Sequence, residues 1–278
     1  MSKTTLGLRD YLPEEVESRD QRIQAMKAIV QEQGYARIIT PAIEHYDPLE
    51  KALGQYISKQ SIMFFDGAGN RLVLRPDHSI AVARIVSSRM ADQLPIKLFY
   101  HDPVFRKDAL LGETEIVQFG CEHIGSLSMA DEAAMVATII QVCQAVGVDD
   151  IEIHASHPEL FKGMSEADIQ ALASGQLSAL QSLPTQGTQH TEQSGYFNAF
   201  YKELNTLGIA DKVFVHHGLY KDLSYYNGVF FDVVSRSHGQ IIGSGGRYDT
   251  ILNAFGVQTN AVGFSLRLHA LEKAAKHG

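Results

Sequence analysis

Apolar residues recur along this chain with two different spacings, and the changes of spacing divide it into elements. From Pro13 to about position 33 they return every three or four residues, with Ile23, Met26 and Val30 on one stripe. That period predicts an amphipathic helix. Pro13 suits the first helical position, Glu14, Glu15 and Glu17 suit the positive end of the helix, and Gly34 suits its C-terminal cap. The residues at 35–40 then read as a strand ending at Pro41. A hairpin is expected at 64–65 and 71–74, its turn at 66–70 eased by two glycines. Pro76 stops the second strand, and Asp77 opens a helix bearing Ile80, Val82, Ala83, Ile85 and Val86, where it can act as the N-cap.

The strongest strand signals, 96–106 and 114–124, flank a polar loop at 107–113. In the second run Ile116, Gln118, Gly120 and Glu122 share one face, and Val117, Phe119, Cys121 and His123 the other. Gln118 and Glu122 are then about 13 Å apart along an extended strand, and Gly120 between them leaves room for a ligand to approach the backbone. A solvated hairpin face would give the same pattern. Beyond it come a helix at 129–146, strands at 151–154, 212–217, 225–234, 240–242 and 260–266, and a helix at 268–276. In a regular strand Tyr225 and Tyr226 point to opposite faces, so only one of them is expected to line a pocket fully. The run GSGGRYD at 243–249 has neither P-loop nor Gly-x-Gly-x-x-Gly spacing, and its glycines read as letting a small ligand approach the sheet. Mostly antiparallel strands with flanking helices make the fold class α+β. Residues 156–211, richer in Gln, Ser, Ala and Gly, read as a helical insertion between a first part at 1–155 and a second at 212–278.

Composition narrows the function. The 278 residues are 45% hydrophobic and 20% charged, enough for a large core. Apolar runs are too short to span a bilayer, and MSKTTLGLRD lacks a signal-peptide core. Cys121 and Cys143 have neither metal-ligand nor disulfide spacing. These features point to a cytoplasmic protein with no membrane partner, metal or cofactor. With 24 Lys and Arg against 32 Asp and Glu the net charge is −8, and the absence of a basic cluster weighs against gripping a nucleic-acid backbone.

Several of these stretches together resemble the class II aminoacyl-tRNA synthetases, and among them the histidyl enzyme. YHDPVFRKDALLGETEIVQFGCEHIG at 100–125 is similar to motif 2, and GYARIITPAIE at 34–44 to motif 1. LRPDHSIAVAR at 74–84 resembles the amino-acid-binding turn, 221–231 and 245–249 the two histidine signatures, and 261–271 lies where motif 3 is expected. The resemblance implies a class II antiparallel sheet flanked by helices, in which the first helix and strand form a dimer interface; ordinary packing on a core would give them the same pattern.

It also implies a histidine pocket. By position, Asp77 and Ser79 match residues near the substrate ammonium, although Asp77 is one methylene shorter than the family's usual glutamate, and the cap role stays open beside it. Gln118 and Glu122 match a glutamine and a glutamate, the latter suited to an imidazole N–H, and Tyr225, Tyr226 and Tyr248 match tyrosines around the ring. Lys221 stands where the family has its catalytic arginine, and lysine lacks the planar fork. Arg106 keeps the motif 2 arginine and is the residue expected to bind phosphate or another anion. A second motif 2 arginine is Thr114 here, the motif 3 arginine is Ala270, and Arg267 and His269 replace a usual glycine and glutamate. No anticodon-binding domain is expected after motif 3.

A retained amino-acid pocket with a dismantled ATP site resembles the regulatory subunits of ATP phosphoribosyltransferase, paralogues of the histidyl enzyme. That resemblance implies a protein without catalytic residues of its own. Its partners would be the short-form catalytic subunit, a second copy of itself within a hetero-octamer, and L-histidine as effector of the first step of histidine biosynthesis, with no tRNA. The alternative is a truncated histidyl-tRNA synthetase-like ligase that activates histidine with ATP.

Overall fold

The computed structural model describes residues 7–54, 61–107, 113–173, 195–221 and 225–275. Helix α1 (Pro13–Glu32) starts at the proline, where the Glu15 carboxylate accepts the Leu12 N–H at 3.0 Å, and it ends where Gly34 takes a φ of 85°. Strands β1 (Ala36–Arg37) and β2 (Ile43–His45) lead to α2 (Tyr46–Leu53), and the hairpin β3 (Met63–Phe65) and β4 (Arg71–Leu74) to α3 (His78–Arg89). The expected strand at 35–40 is thus reduced to two residues. After it Ile38 donates its N–H to Phe99 O, in the neighbouring strand of the sheet, before Pro41 turns the chain.

The long hairpin consists of β5 (Ile96–Phe105) and β6 (Glu115–Gly125), followed by α4 (Met129–Gln144), whose Ser128 and Asp131 form a reciprocal capping box. Then come β7 (Ile151–Ser156), α5 (Glu166–Ala173), α6 (Gly195–Thr206), β8 (Val213–Val215), β9 (Phe230–Ser235), β10 (Gln240–Arg247), α7 (Asp249–Ala254), β11 (Asn260–Arg267) and α8 (Leu268–Ala274). Most of the polar stretch 182–196 and of the loop 107–113 lies outside the described residues.

Among the described residues, eight strands form one sheet in the order β1-β5-β6-β11-β10-β9-β7-β8, parallel only at its two edges. Strands β2, β4 and β3 make a small antiparallel sheet. Period-two alternation gives the large sheet two different faces. Phe119, Cys121, Val262, Phe264 and Leu266 join Met26, Val136, Phe200 and Leu271 in one core under α1, α4, α6 and α8. On the other face Leu98 and Tyr100 pack with Ile80, Val86, Ile251 and Leu252 of α3 and α7. At roughly 1.5–3 kcal/mol for each large apolar side chain buried, these two layers hold the central strands in register and fix where their polar residues face. No helix among the described residues is long and apolar enough to cross a membrane.

The strand expected at 225–234 begins only at Phe230, and β10 runs on to Arg247 instead of stopping at 242. The glycines of 243–249 lie inside this longer strand. A Cβ at Gly243 or Gly245 would overlap the backbone of β11, so these positions serve close strand approach as well as an open floor.

Candidate functional site

Where β6, β11 and β10 meet, the second face of the sheet opens into a cavity of about 700 Å³. Helix α3 points its N-terminus into it. Asp77 caps that helix, accepting the Ile80 N–H at 3.3 Å, and the same carboxylate lines the cavity. Its Oδ1 accepts from the Tyr225 hydroxyl at 3.2 Å and its Oδ2 from Arg106 Nη2 at 3.3 Å. Burial pushes the Asp77 carboxyl up, opposed by the Arg106 charge. The cap and pocket readings are therefore compatible in one side chain.

Beneath the cavity floor lies Glu122, fully buried and held by three hydroxyls. Ser79 donates to Oε1 at 2.6 Å, Tyr100 to Oε1 at 3.1 Å, and Tyr248 to Oε2 at 2.6 Å. Burial outweighs these bonds and pushes the Glu122 carboxyl up to about 8. It is then protonated at neutral pH and can donate a hydrogen bond as well as accept one. Ser79, Tyr100 and Tyr248 line the cavity themselves, whereas Glu122 sits one layer below them.

Gln118, Tyr225, Tyr226 and Arg106 also line the cavity. The two adjacent tyrosines do so together, with ring centroids 4.6 Å apart, which corrects the expectation that only one would. The reason is that 225–229 is not a strand: the backbone bends at Asn227 and Gly228, with the Asn227 N–H donating to Arg247 O of β10 at 3.1 Å. Gly120 does not open the backbone to a ligand as its spacing promised. Tyr100 stands opposite it in register, and a Cβ at 120 would collide with the phenol ring. Tyr100, which the sequence reading passed over, is further fixed by stacking on His78 at 4.1 Å.

Lys221 is not among the lining residues. Its Nζ donates to Asp232 Oδ1 at 2.6 Å and to Phe231 O at 3.0 Å, and it is Asp232 that faces the cavity. Burial pulls the Lys221 ammonium down while Asp232 raises it. Around Arg106 the cavity is lined by Glu113, Arg267, His269, Ala270 and Lys273. Arg267 donates to Ile241 O, His269 lies 3.0 Å from Arg9 Nη1, and Ala270 presents a methyl group where the resemblance expects an arginine. Thr114 uses its backbone to receive the N-terminal segment, its N–H donating to Gly7 O at 2.8 Å. The cavity thus combines an end rich in carboxylate, amide and phenol groups with an end lined by Arg106, Arg267 and Lys273 but with Ala270 where the resemblance expects an arginine. Among the described residues there is no group of three His, Cys, Asp or Glu that could hold a metal.

The histidyl-tRNA synthetase family model matches residues 7–186 and 178–271. The chain is 29% identical to an ATP phosphoribosyltransferase regulatory subunit of Ruminiclostridium cellulolyticum, over 96% of this chain and 76% of that one. It is 27% identical to a histidine–tRNA ligase of Pyrobaculum calidifontis, over 96% and 74%. In structure it is similar to a Bacillus halodurans protein described as an ATP phosphoribosyltransferase regulatory subunit/histidyl-tRNA synthetase, with a TM-score of 0.86 at 24% identity over 99% of this chain and 83% of that one. Histidyl-tRNA synthetase from S. aureus aligns with a TM-score of 0.75 at 22% identity, covering 100% and 71%. These likenesses place the sheet and its helices in the class II synthetase fold, and the chain belongs to the histidyl-tRNA synthetase family.

Proposed function

We propose that this chain is a non-catalytic regulatory subunit of ATP phosphoribosyltransferase that binds L-histidine in the cavity. It would act in the cytoplasm on a short-form catalytic subunit, as dimers within a hetero-octamer, in the first step of histidine biosynthesis. The class II core would comprise 1–155 and 212–278, with 156–211 as its insertion.

The observation that carries this reading is the contrast between the two ends of the cavity. A free histidine needs an anion for its ammonium group, polar partners for its ring nitrogens and aromatic walls. Asp77 offers the first, with the Ser79 oxygen beside it as a neutral acceptor, and Gln118 with Tyr225, Tyr226 and Tyr248 the others, with Glu122 acting through the hydroxyls above it. Lys221 is held by Asp232 outside the lining, so no direct contact with the ligand is assigned to it. Activation with ATP requires positioned positive charge on the phosphates. Arg106, Arg267 and Lys273 still line that end, but Thr114 and Ala270 stand at two expected arginine positions, and Lys221 at a third is engaged by a carboxylate and a carbonyl. The names of the regulatory-subunit relatives support the same reading.

A ligase that activates histidine is the second reading, favoured by Arg106 at the cavity wall and by the ligases among the relatives. The deciding experiment measures phosphoribosyl-ATP formation by the short catalytic subunit, with and without this chain and with added histidine. A rate raised by this chain and lowered by histidine is expected. An unchanged rate, together with histidine-dependent exchange between ATP and pyrophosphate by this chain alone, would transfer the assignment to the ligase.

A further inference from the structure

The tyrosines of the cavity wall are interleaved in the chain with the members of one charged cluster. Tyr226 precedes Asn227, and Tyr248 lies between Arg247 and Asp249. Arg247 donates from Nη1 to Glu132 Oε1 at 2.7 Å and from Nε to Asp249 Oδ2 at 3.0 Å. Asp249 also accepts from Asn227 Nδ2 at 2.9 Å, from Asn260 Nδ2 at 3.0 Å and from the Ala261 N–H at 2.9 Å. In return the Asp249 N–H donates to Asn227 Oδ1 at 2.8 Å. Glu132, on α4, is 1% exposed, and its other oxygen accepts from the hydroxyl of Tyr196 in the first turn of α6. Tyr196 in turn stacks on His157, with ring centroids 3.9 Å apart.

The cluster is closely built. A Cβ at Gly228 would press on the Arg247 side chain, and one at Gly246 would press on the Tyr226 ring and the Val229 carbonyl. Thr250 Oγ1 holds Tyr225 O at 3.0 Å, so the two tyrosine-bearing segments are tied to each other through backbone as well as side chains. Separating Arg247 from Glu132 would leave a buried carboxylate uncompensated, which is costly. A displacement of 247–249 therefore carries Glu132 along with it.

We propose that this cluster couples the cavity to α6: filling the cavity, felt at Tyr226 and Tyr248, passes through Asn227, Asp249 and Arg247 to Glu132 and from there to Tyr196, and changes how firmly α6 is held. The proposal rests on the reading of the cavity as a histidine site. Such coupling is reciprocal, so a change at Tyr196 alters histidine affinity by the factor through which histidine alters the hold on α6.

The test is hydrogen exchange of the full chain with and without L-histidine, run beside a calorimetric titration of each variant. Histidine is expected to slow exchange in 195–206 by about five-fold or more. In Tyr196→Phe, which loses only the hydroxyl, and in Arg247→Lys, which keeps the charge but not the fork, that slowing should largely vanish while histidine still binds. Binding to the wild-type chain with unchanged exchange in α6 would overturn the coupling and leave the histidine reading intact. A response that survives in whichever of the two variants folds would overturn it as well. A wild-type chain that binds no histidine would bring down both.

Discussion

Gly263 of β11 stands directly across from Glu122 of β6, and a Cβ added at position 263 would overlap Glu122 Oε2. A side chain there must push the carboxylate out of its ring of hydroxyls. Gly263→Ala is therefore expected to cost about 1–3 kcal/mol of stability through overpacking, and to weaken histidine binding with it. Urea denaturation and calorimetry check both effects; a variant with wild-type stability and affinity would show that Glu122 can relocate freely.

The proton on Glu122 gives stability a particular dependence on pH. Its carboxyl is raised from 4.5 to about 8 in the fold, so the native state keeps a proton that the unfolded chain releases. That contribution is fully present below 4.5 and is lost as pH rises through about 8. His78 acts in the opposite sense, because burial lowers it from 6.5 to about 3, and its contribution is lost as pH falls through that value. Comparing Glu122→Gln with wild type cancels the contribution of His78. The unfolding free energy of the wild-type chain should fall more steeply toward alkaline pH than that of the variant, and parallel curves would refute the raised pKa.

Lys221 and Asp232 form a partly buried pair beside the cavity. Lys221→Met leaves Asp232 without its cation and should cost about 1–3 kcal/mol. Lys221→Met combined with Asp232→Leu should recover much of that loss, since apolar groups can replace such a pair. A double-mutant cycle measured by urea denaturation gives the answer, and additive single effects would mean that the two do not interact.

Tyr100→Phe removes one of the three hydroxyls on Glu122 while keeping the ring on His78. Stability should change by about 1 kcal/mol or less. Histidine binding should weaken, and more so in Gln118→Ala and Glu122→Ala, with loss of feedback inhibition in the assembled complex. Unchanged inhibition in all three would remove the effector from this cavity.

Asp77 serves two masters, a helix and a pocket. Asp77→Ala should lose about 1 kcal/mol from the cap and weaken histidine binding, whereas Asp77→Ser should restore the cap but not the binding. Thermal unfolding and titration separate the two; recovery of both by serine would reduce Asp77 to a cap.

Much of this fold was legible because its signals are local. Pro13, the apolar stripe of α1, the cap at Asp77 and the alternation of β6 each depend on neighbours within a few residues. What escaped depends on pairs distant in sequence. Tyr100 becomes part of the floor because β6 presents Gly120 opposite it, a large residue against none, which only the register of the hairpin discloses. The placement of Tyr225 and Tyr226 was readable in principle, since Asn227 followed by Gly228 is a turn signal, but the apolar run after it extended the expected strand backwards. The depth of Glu122 and the engagement of Lys221 by Asp232 arise from tertiary packing, and no local pattern encodes them.

The pairing of β6 with β11 has a consequence for how the molecule is made. One side of the cavity comes from the motif 2 hairpin and the other from the penultimate element of the described chain, so a nascent polypeptide emerging from the ribosome carries an unfinished bowl. Contacts this far apart in sequence are late to form. Until β11 docks, Glu122 has no glycine opposite it and β10 lacks the strand that holds Tyr248 in place. A small molecule that fits this cavity would therefore find its full lining only in chains whose β11 has paired with β6.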